Sequence, residues 1–360
     1  MPKVIFNSRN SAFYTQVKRS VEQHFISNAI AKTGNWHLYT KAIVLAASAV
    51  VIYLFLILGS YSSPAGVLLA SLLGFVLASI GFNVMHDACH GSYSSKKWLN
   101  NTLGLTLNAL GGNAFIWKFK HNILHHTYTN VDGLDDDIAK SPLIRQCASQ
   151  RWVPAHRFQH IYVVLVYAIS SFAWVFIMDF NKYFRGKVHN SELQHMSRNE
   201  HLVFWASKAL YLLFYIVVPV YFVDWQAWGI GFACMHVIMG LTLALVFQLA
   251  HVVEHAEFAK VEGEDMMIEN EWAIHQVKTT ANFAPRNKFI SWFVGGLNFQ
   301  VEHHLFPRIS HVHYPAISGI VKETCRKFDV PYHEFDTMSE AVVSHFTMMR
   351  RLGRKDQHVA

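Results

Sequence analysis

Residues 42–85 read AIVLAASAVVIYLFLILGSYSSPAGVLLASLLGFVLASIGFNVM, and no side chain in that stretch is charged. A helix needs about 20 apolar residues to cross a bilayer. The run is about twice that long, and Ser60-Tyr61-Ser62-Ser63-Pro64 breaks it near the middle. It predicts two membrane spans joined by a tight external turn. Its two outer ends, marked by Lys41 and His86, then share one side of the membrane.

Composition agrees with that reading. Of the 360 residues, 52% are hydrophobic and 15% charged, against about a quarter charged in a soluble chain. The net charge is +7, yet lysine and arginine are scattered among short segments between apolar runs, as in cytoplasmic loops. No basic patch is interleaved with aromatics, so nucleic acid is not an expected partner. Cys89, Cys147, Cys234 and Cys325 form no C-x-x-C pair, which argues against a disulfide framework or a zinc ribbon. The polar, basic residues 1–41 lack the apolar core of a secretory signal and read as a cytoplasmic arm with one or two surface helices.

Three further apolar runs cover residues 158–180, 202–223 and 229–251. The link between the last two is short and acidic, with Trp225 and Trp228 suited to an interface. These two runs form a second hairpin. The run 158–180 is flanked by Arg151 and Arg157 on one end and Lys182, Arg185 and Lys187 on the other. Positive charge at both ends places it in the interface or makes it re-enter. The fold class expected is all-α integral membrane, with about four transmembrane helices in two hairpins and a cytoplasmic helical cap holding a di-metal site. Residues 103–119 and 289–299 are apolar, too short to cross, and broken by Gly111-Gly112 and Gly295-Gly296. They read as segments that dip into the membrane and lead into histidine groups.

Histidine is the unusual residue, at 23 copies. His86 and His90 lie four apart in HDACH, on one face of a helix. His121 and His125 share a face in HNILHH, while His126 turns about 100° away. His303 and His304 in QVEHHLFP diverge by the same rotation, so each can serve a different ion. The topology puts all three groups on one membrane face. Imidazoles without cysteine point to iron, zinc or copper. Four-coordinate zinc leaves too many histidines over, whereas two irons use eight or nine.

The three boxes HDACH, HNILHHTYTNVDGLDDD and QVEHHLFPRISHVHYPAI, in this order and spacing, resemble those of the membrane fatty acid desaturases. They look most like front-end desaturases and their bacterial linoleoyl-CoA-desaturase-like relatives, whose last box opens with glutamine. The resemblance covers nearly the whole chain. It implies two iron ions that activate O₂ and remove two hydrogens from adjacent carbons of a fatty acyl chain, CoA- or lipid-linked. Carried over by position, His86, His90, His121, His125, His126, His303 and His304 are metal ligands. Gln300 stands where many relatives have histidine, and an amide is a poor iron ligand. The run FQLAHVVEHAEF offers His251 or His255 in its place, and spacing alone leaves both open.

Around the boxes, a metal-bound imidazole needs an outer partner for its other nitrogen. Gln300, Glu302, Asp87, Asn130 and Asp136 are candidates, with Asp132, Asp135 and Asp137 beside them. His311 and His313 read as structural or surface residues. Relatives of the front-end type carry a fused haem domain marked by His-Pro-Gly-Gly. No such run occurs here, so the resemblance implies an external electron donor, such as ferredoxin or a free cytochrome with its reductase. Three other readings compete. A fatty acyl hydroxylase or epoxygenase uses the same boxes. A non-catalytic membrane metal or haem protein needs fewer histidines. The run HVVEH matches an inverted zinc-protease pattern with Glu254 as base. The location expected is the bacterial cytoplasmic membrane, active site inward. The chain reads as one desaturase domain over 1–360, divided at 1–41 (arm), 42–85 (first hairpin), 86–201 (two boxes), 202–251 (second hairpin) and 252–360 (third box).

Overall fold

The computed structural model describes residues 4–7, 11–138, 142–259 and 267–355. Five helices among them are long and apolar enough to cross a membrane: Trp36–Leu58, Ser63–His90, Pro154–Arg185, Arg198–Phe222 and Trp225–His251. Their ends follow from local chemistry. The Asn35 side chain accepts from Leu38 N, Pro64 sits in the first turn of the second helix, and Ser197 with Glu200 forms a reciprocal cap on the fourth. The Asp224 carboxylate accepts from Gln226 N and Ala227 N and starts the last helix.

The first two and last two of these helices form the two expected hairpins. The middle helix, Pro154–Arg185, is the additional one. Near its start, Gln159 Nε2 donates to the carbonyls of Arg145 (2.9 Å) and Met349 (2.8 Å). Near its end, Lys182 pairs with Asp136, beside the second histidine box. Between these points Ser171 Oγ donates to His236 O at 2.8 Å, well inside the last span. The helix thus begins and finishes on the histidine side, as its doubly positive flanks require. A π turn at Trp174–Met178 interrupts its α winding.

The last span packs between the second and the middle helices, and glycine allows both approaches. A Cβ at Gly74 would stand 2.2 Å from Met235 O, and one at Gly240 would stand 2.7 Å from Tyr167 O. Backbones this close give dispersion contact along the whole crossing, which lipid cannot supply. The core continues from Leu77, Met235 and Met239 to Phe293 and Leu297 of the segment after Asn287. Phe293 stacks on Phe75 at 3.9 Å, and its carbonyl accepts from Ser79 Oγ and Asn83 Nδ2. Gly111, at φ +92, lies against Tyr211 and Val175. Both dipping segments are therefore seated against spans.

The cap on the histidine side is helical, with three small two-stranded pieces among the described residues. The arm contributes one helix, Ala12–Ser27, whose Phe13, Val17, Val21 and Phe25 recur every four residues and are buried. They pack on Ile317, Val321 and Cys325 of Tyr314–Lys327. Ala281–Phe283 runs parallel to His333–Phe335, with Ala281 opposite His333. Ile5–Phe6 pairs in parallel with Met267–Ile268.

Gly74→Val forces a methyl group into the Met235 carbonyl. We expect it to destabilise the protein by about 1–3 kcal/mol, read as a lowered Tm in detergent. Gly229→Ala, where nothing lies within 4 Å of the new Cβ, leaves Tm nearly unchanged.

Candidate metal centre

The histidines reach one place from four segments. His86 and His90 end the second span directly after a π turn at Gly81–Met85. Asn113 caps the short helix Ala114–Lys118, which runs into a second π turn, Phe119–His125. There His126 N donates to His121 O across five residues, at 3.1 Å. The 100° arithmetic of an α-helix therefore does not apply to the second box, because π winding spreads the three rings differently. His303 and His304 lie on Gln300–Leu305, every residue of which is buried. His251 is the last helical residue of its span.

Ligand nitrogens of His86, His90, His121 and His303 lie within 4.8 Å of one another, and so do those of His125, His251 and His304. His126 joins His303 and His304 in a third such group. Ring centroids are 4.5 Å apart for His86 and His303 and 4.7 Å for His125 and His251. The adjacent His303 and His304 rings stand at 84°; each joins a different one of the first two groups, and both meet in the group of His126. His121 joins the first box rather than pairing with His125 alone.

The polar atoms test whether a metal fits. Nε2 of His90, His121, His125, His126, His251, His303 and His304, and Nδ1 of His86, are buried without a hydrogen-bond partner. An unsatisfied buried polar atom costs about 1–3 kcal/mol, so eight converging ones are a donor set for metal. Burial first, and repulsion from neighbouring imidazoles second, holds His121, His126, His303 and His304 well below the ordinary histidine range. Neutral imidazoles are what metal ligation requires.

The family model for fatty acid desaturases matches residues 62–336. The chain belongs to the fatty acid desaturase family. It is 35% identical to an sn-1 linoleoyl-lipid 6-desaturase of Arthrospira platensis, over 97% of this chain and 95% of that one. It is 33% identical to a Synechocystis protein of the same description, over 96% and 97% of the two chains. An acyl-lipid (8-3)-desaturase of Physcomitrium patens is 35% identical over 96% of this chain and 73% of its own. The protein is thus an integral membrane oxidoreductase with a fatty acyl substrate, and its histidine cluster is compatible with two metals.

In this desaturase His255 is a correction to the sequence reading. The last span stops at His251, and Val252 leaves helical geometry at φ −116, ψ 68. The four-residue relation is lost, and His255 is exposed and stacked on His333 at 5.5 Å. HVVEH is therefore not a helical zinc motif, and Glu254 pairs with Arg351 at 2.6 Å.

The outer partners also differ from those expected. Asp136 binds Lys182, while its neighbours face the site: His125 Nδ1 lies 3.0 Å from Asp135 and 3.7 Å from Asp137. Glu302 accepts from Asn282 (2.8 Å) and Tyr332 (2.9 Å) instead of from a histidine. Burial pushes its carboxyl up to about 7, against those hydrogen bonds. Gln300 donates to Leu297 O at 2.8 Å and has no imidazole partner. Asp87 lies 3.9 Å from His86 Nδ1 and 3.0 Å from His311 Nδ1. Asn130, at φ 56, donates to His251 O (2.8 Å), Glu257 O (3.1 Å) and Thr279 O (3.3 Å), clamping the end of the last span.

Sequence reasoning missed three partners. Gln276 Oε1 accepts from His304 Nδ1 at 2.8 Å and from Thr129 at 2.9 Å, and Tyr314 OH lies 3.1 Å from His303 Nδ1. Thr129 and Tyr314 are in the quoted boxes, but nothing in the sequence marks Gln276. Gln276→Leu should lower metal affinity about 10–100-fold, measured as metal retained against a chelator, with helicity unchanged. Gln300→Leu, which touches no imidazole, should stay within about twofold of wild type by the same assay.

Proposed function

We propose that the protein is an acyl-lipid desaturase that binds two irons and uses O₂ to place a cis double bond near the carboxyl end of a lipid-linked chain. The convergence of eight unpartnered buried histidine nitrogens in overlapping groups carries the reading. Its ligands would be His86, His90, His121, His125, His126, His251, His303 and His304. Iron suits an all-imidazole set without cysteine and, when bound, supplies the oxidising power for C–H cleavage. The balance is two hydrogens from adjacent methylenes, O₂, two electrons and two protons to one alkene and two waters. The electrons come from an external donor, a ferredoxin or a free cytochrome with its reductase.

The chain's own part is positional. The His303 and His304 rings diverge by 84°, and Tyr314 and Gln276 fix their outer nitrogens. Asp135 orients His125, and Asn130 holds the His251 helix end in register. A rigid centre of this sort leaves regiochemistry to where the acyl chain lies. Relatives described as linoleoyl-lipid 6-desaturases over nearly their full length favour a lipid-linked linoleoyl chain over the CoA ester. The lysines and arginines next to the histidine side support a cytoplasmic site in a bacterial membrane, within one desaturase domain.

Expression in a host supplied with linoleate, followed by gas chromatography–mass spectrometry of the lipids, tests the reading. A new double bond at carbon six, absent with His304→Ala, is the expected result. A hydroxy or epoxy product would replace the reaction and keep the centre. Metal analysis should find about two irons per chain, with His251→Ala losing iron and His255→Ala retaining it. Equal retention by both variants would remove His251 from the set.

A further inference from the structure

The first span begins with a charge that acyl oxidation does not use. Lys41 lies in the second turn of Trp36–Leu58 and is only 9% exposed. Its Nζ stands 5.1 Å from the Trp292 ring centre, and no described residue accepts a hydrogen bond from it. Asp87 is the carboxylate whose charge acts on it. That carboxylate is already engaged: its Oδ2 accepts from Ser310 Oγ at 2.7 Å and His311 N at 3.2 Å.

Lys41 faces a cavity of about 490 Å³ whose lining combines polar His37, Thr40 and His311 with apolar Val44, Trp292 and Pro315. Trp36 and Trp292, 66% and 45% exposed, set its level at the membrane–water boundary, where tryptophan collects. Beyond it the first span shows Ile43, Val50 and Val51 to the bilayer. Lys41 is a mostly buried side chain whose ammonium meets the cavity with no acceptor among the described residues; holding that charge away from bulk water is costly, and an anion in the cavity relieves it. The surroundings ask for one molecule with an anionic oxygen group at the boundary and hydrocarbon running inward.

We propose that this cavity binds the phosphate of an anionic glycerophospholipid, with Lys41 as counter-charge and Trp292 and Val44 against the glycerol and first methylenes. The site lies outside the histidine cluster. It meets the cluster's surroundings at Asp87, through the charge that acts on Lys41 and through His311, which forms part of the cavity wall and contacts Asp87 beside His86. It goes beyond the desaturase reading and is measured by binding alone.

The test is native mass spectrometry of the full-length, iron-loaded protein in a neutral detergent, titrated with phosphatidylglycerol, with diacylglycerol of the same chains, or with inorganic phosphate. Wild type should hold one phosphatidylglycerol at least about tenfold more tightly than diacylglycerol. Lys41→Met should abolish the preference and Lys41→Arg should keep it, both with wild-type iron content and melting. Equal binding of the two lipids by wild type overturns the site without any variant. An unchanged preference in Lys41→Met overturns the role of Lys41. Displacement of phosphatidylglycerol by an equal concentration of inorganic phosphate overturns the lipid as ligand and leaves a free-anion site.

Discussion

Eight imidazole nitrogens are buried together with nothing in the protein to bond to, and the fold is arranged around that unmet demand. Each histidine comes from a segment that must stop at one depth. The second and last spans end at His90 and His251, and the other two boxes are brought there by short segments packed against the spans. Glycine at the helix crossings and at the bend of each dipping segment lets backbones come close enough for this. The stability of such a site is tied to its occupant, because ligand repulsion and desolvation oppose the bare arrangement.

Around the cluster, polar partners work in one direction. Gln276, Tyr314 and Asp135 engage outer nitrogens, leaving the inner ones to converge. Asn130 and Asp87 act at a further remove, on a helix end and on the Ser310–His311 turn. The middle helix joins the same scheme through Lys182 and Asp136. These groups act on the geometry of the cluster, whereas Lys41 forms no ion pair among the described residues and lies over the Trp292 ring.

The sequence made the spans, the two hairpins and the three boxes legible, since each rests on a local signal: uncharged length, turn residues, or histidine spacing. It was less able to choose between His251 and His255. That choice depends on where a helix ends, and only the backbone at Val252 reveals it. The outer partners escaped for a related reason. Gln276 sits in a short helix, Trp272–Lys278, 28 residues before His304, and no pattern in one dimension connects them. Asp136 was a fair candidate by position, yet in the DDD run only Asp135 and Asp137 turn toward His125. The π turns were likewise invisible, because their composition is that of any apolar helix.

Those π turns carry a consequence for how the protein tolerates change. Two of them, Gly81–Met85 and Phe119–His125, lie immediately before or within a histidine box and wind more loosely than an α-helix. Relaxation of Gly81–Met85 to ordinary winding with all five residues kept would swing His86 and His90 through roughly a quarter turn. The span would still cross the bilayer and its apolar surface would be almost unaltered. The metal-facing phase of the helix is thus encoded separately from its membrane-facing length, so insertion can succeed while the reactive centre is lost.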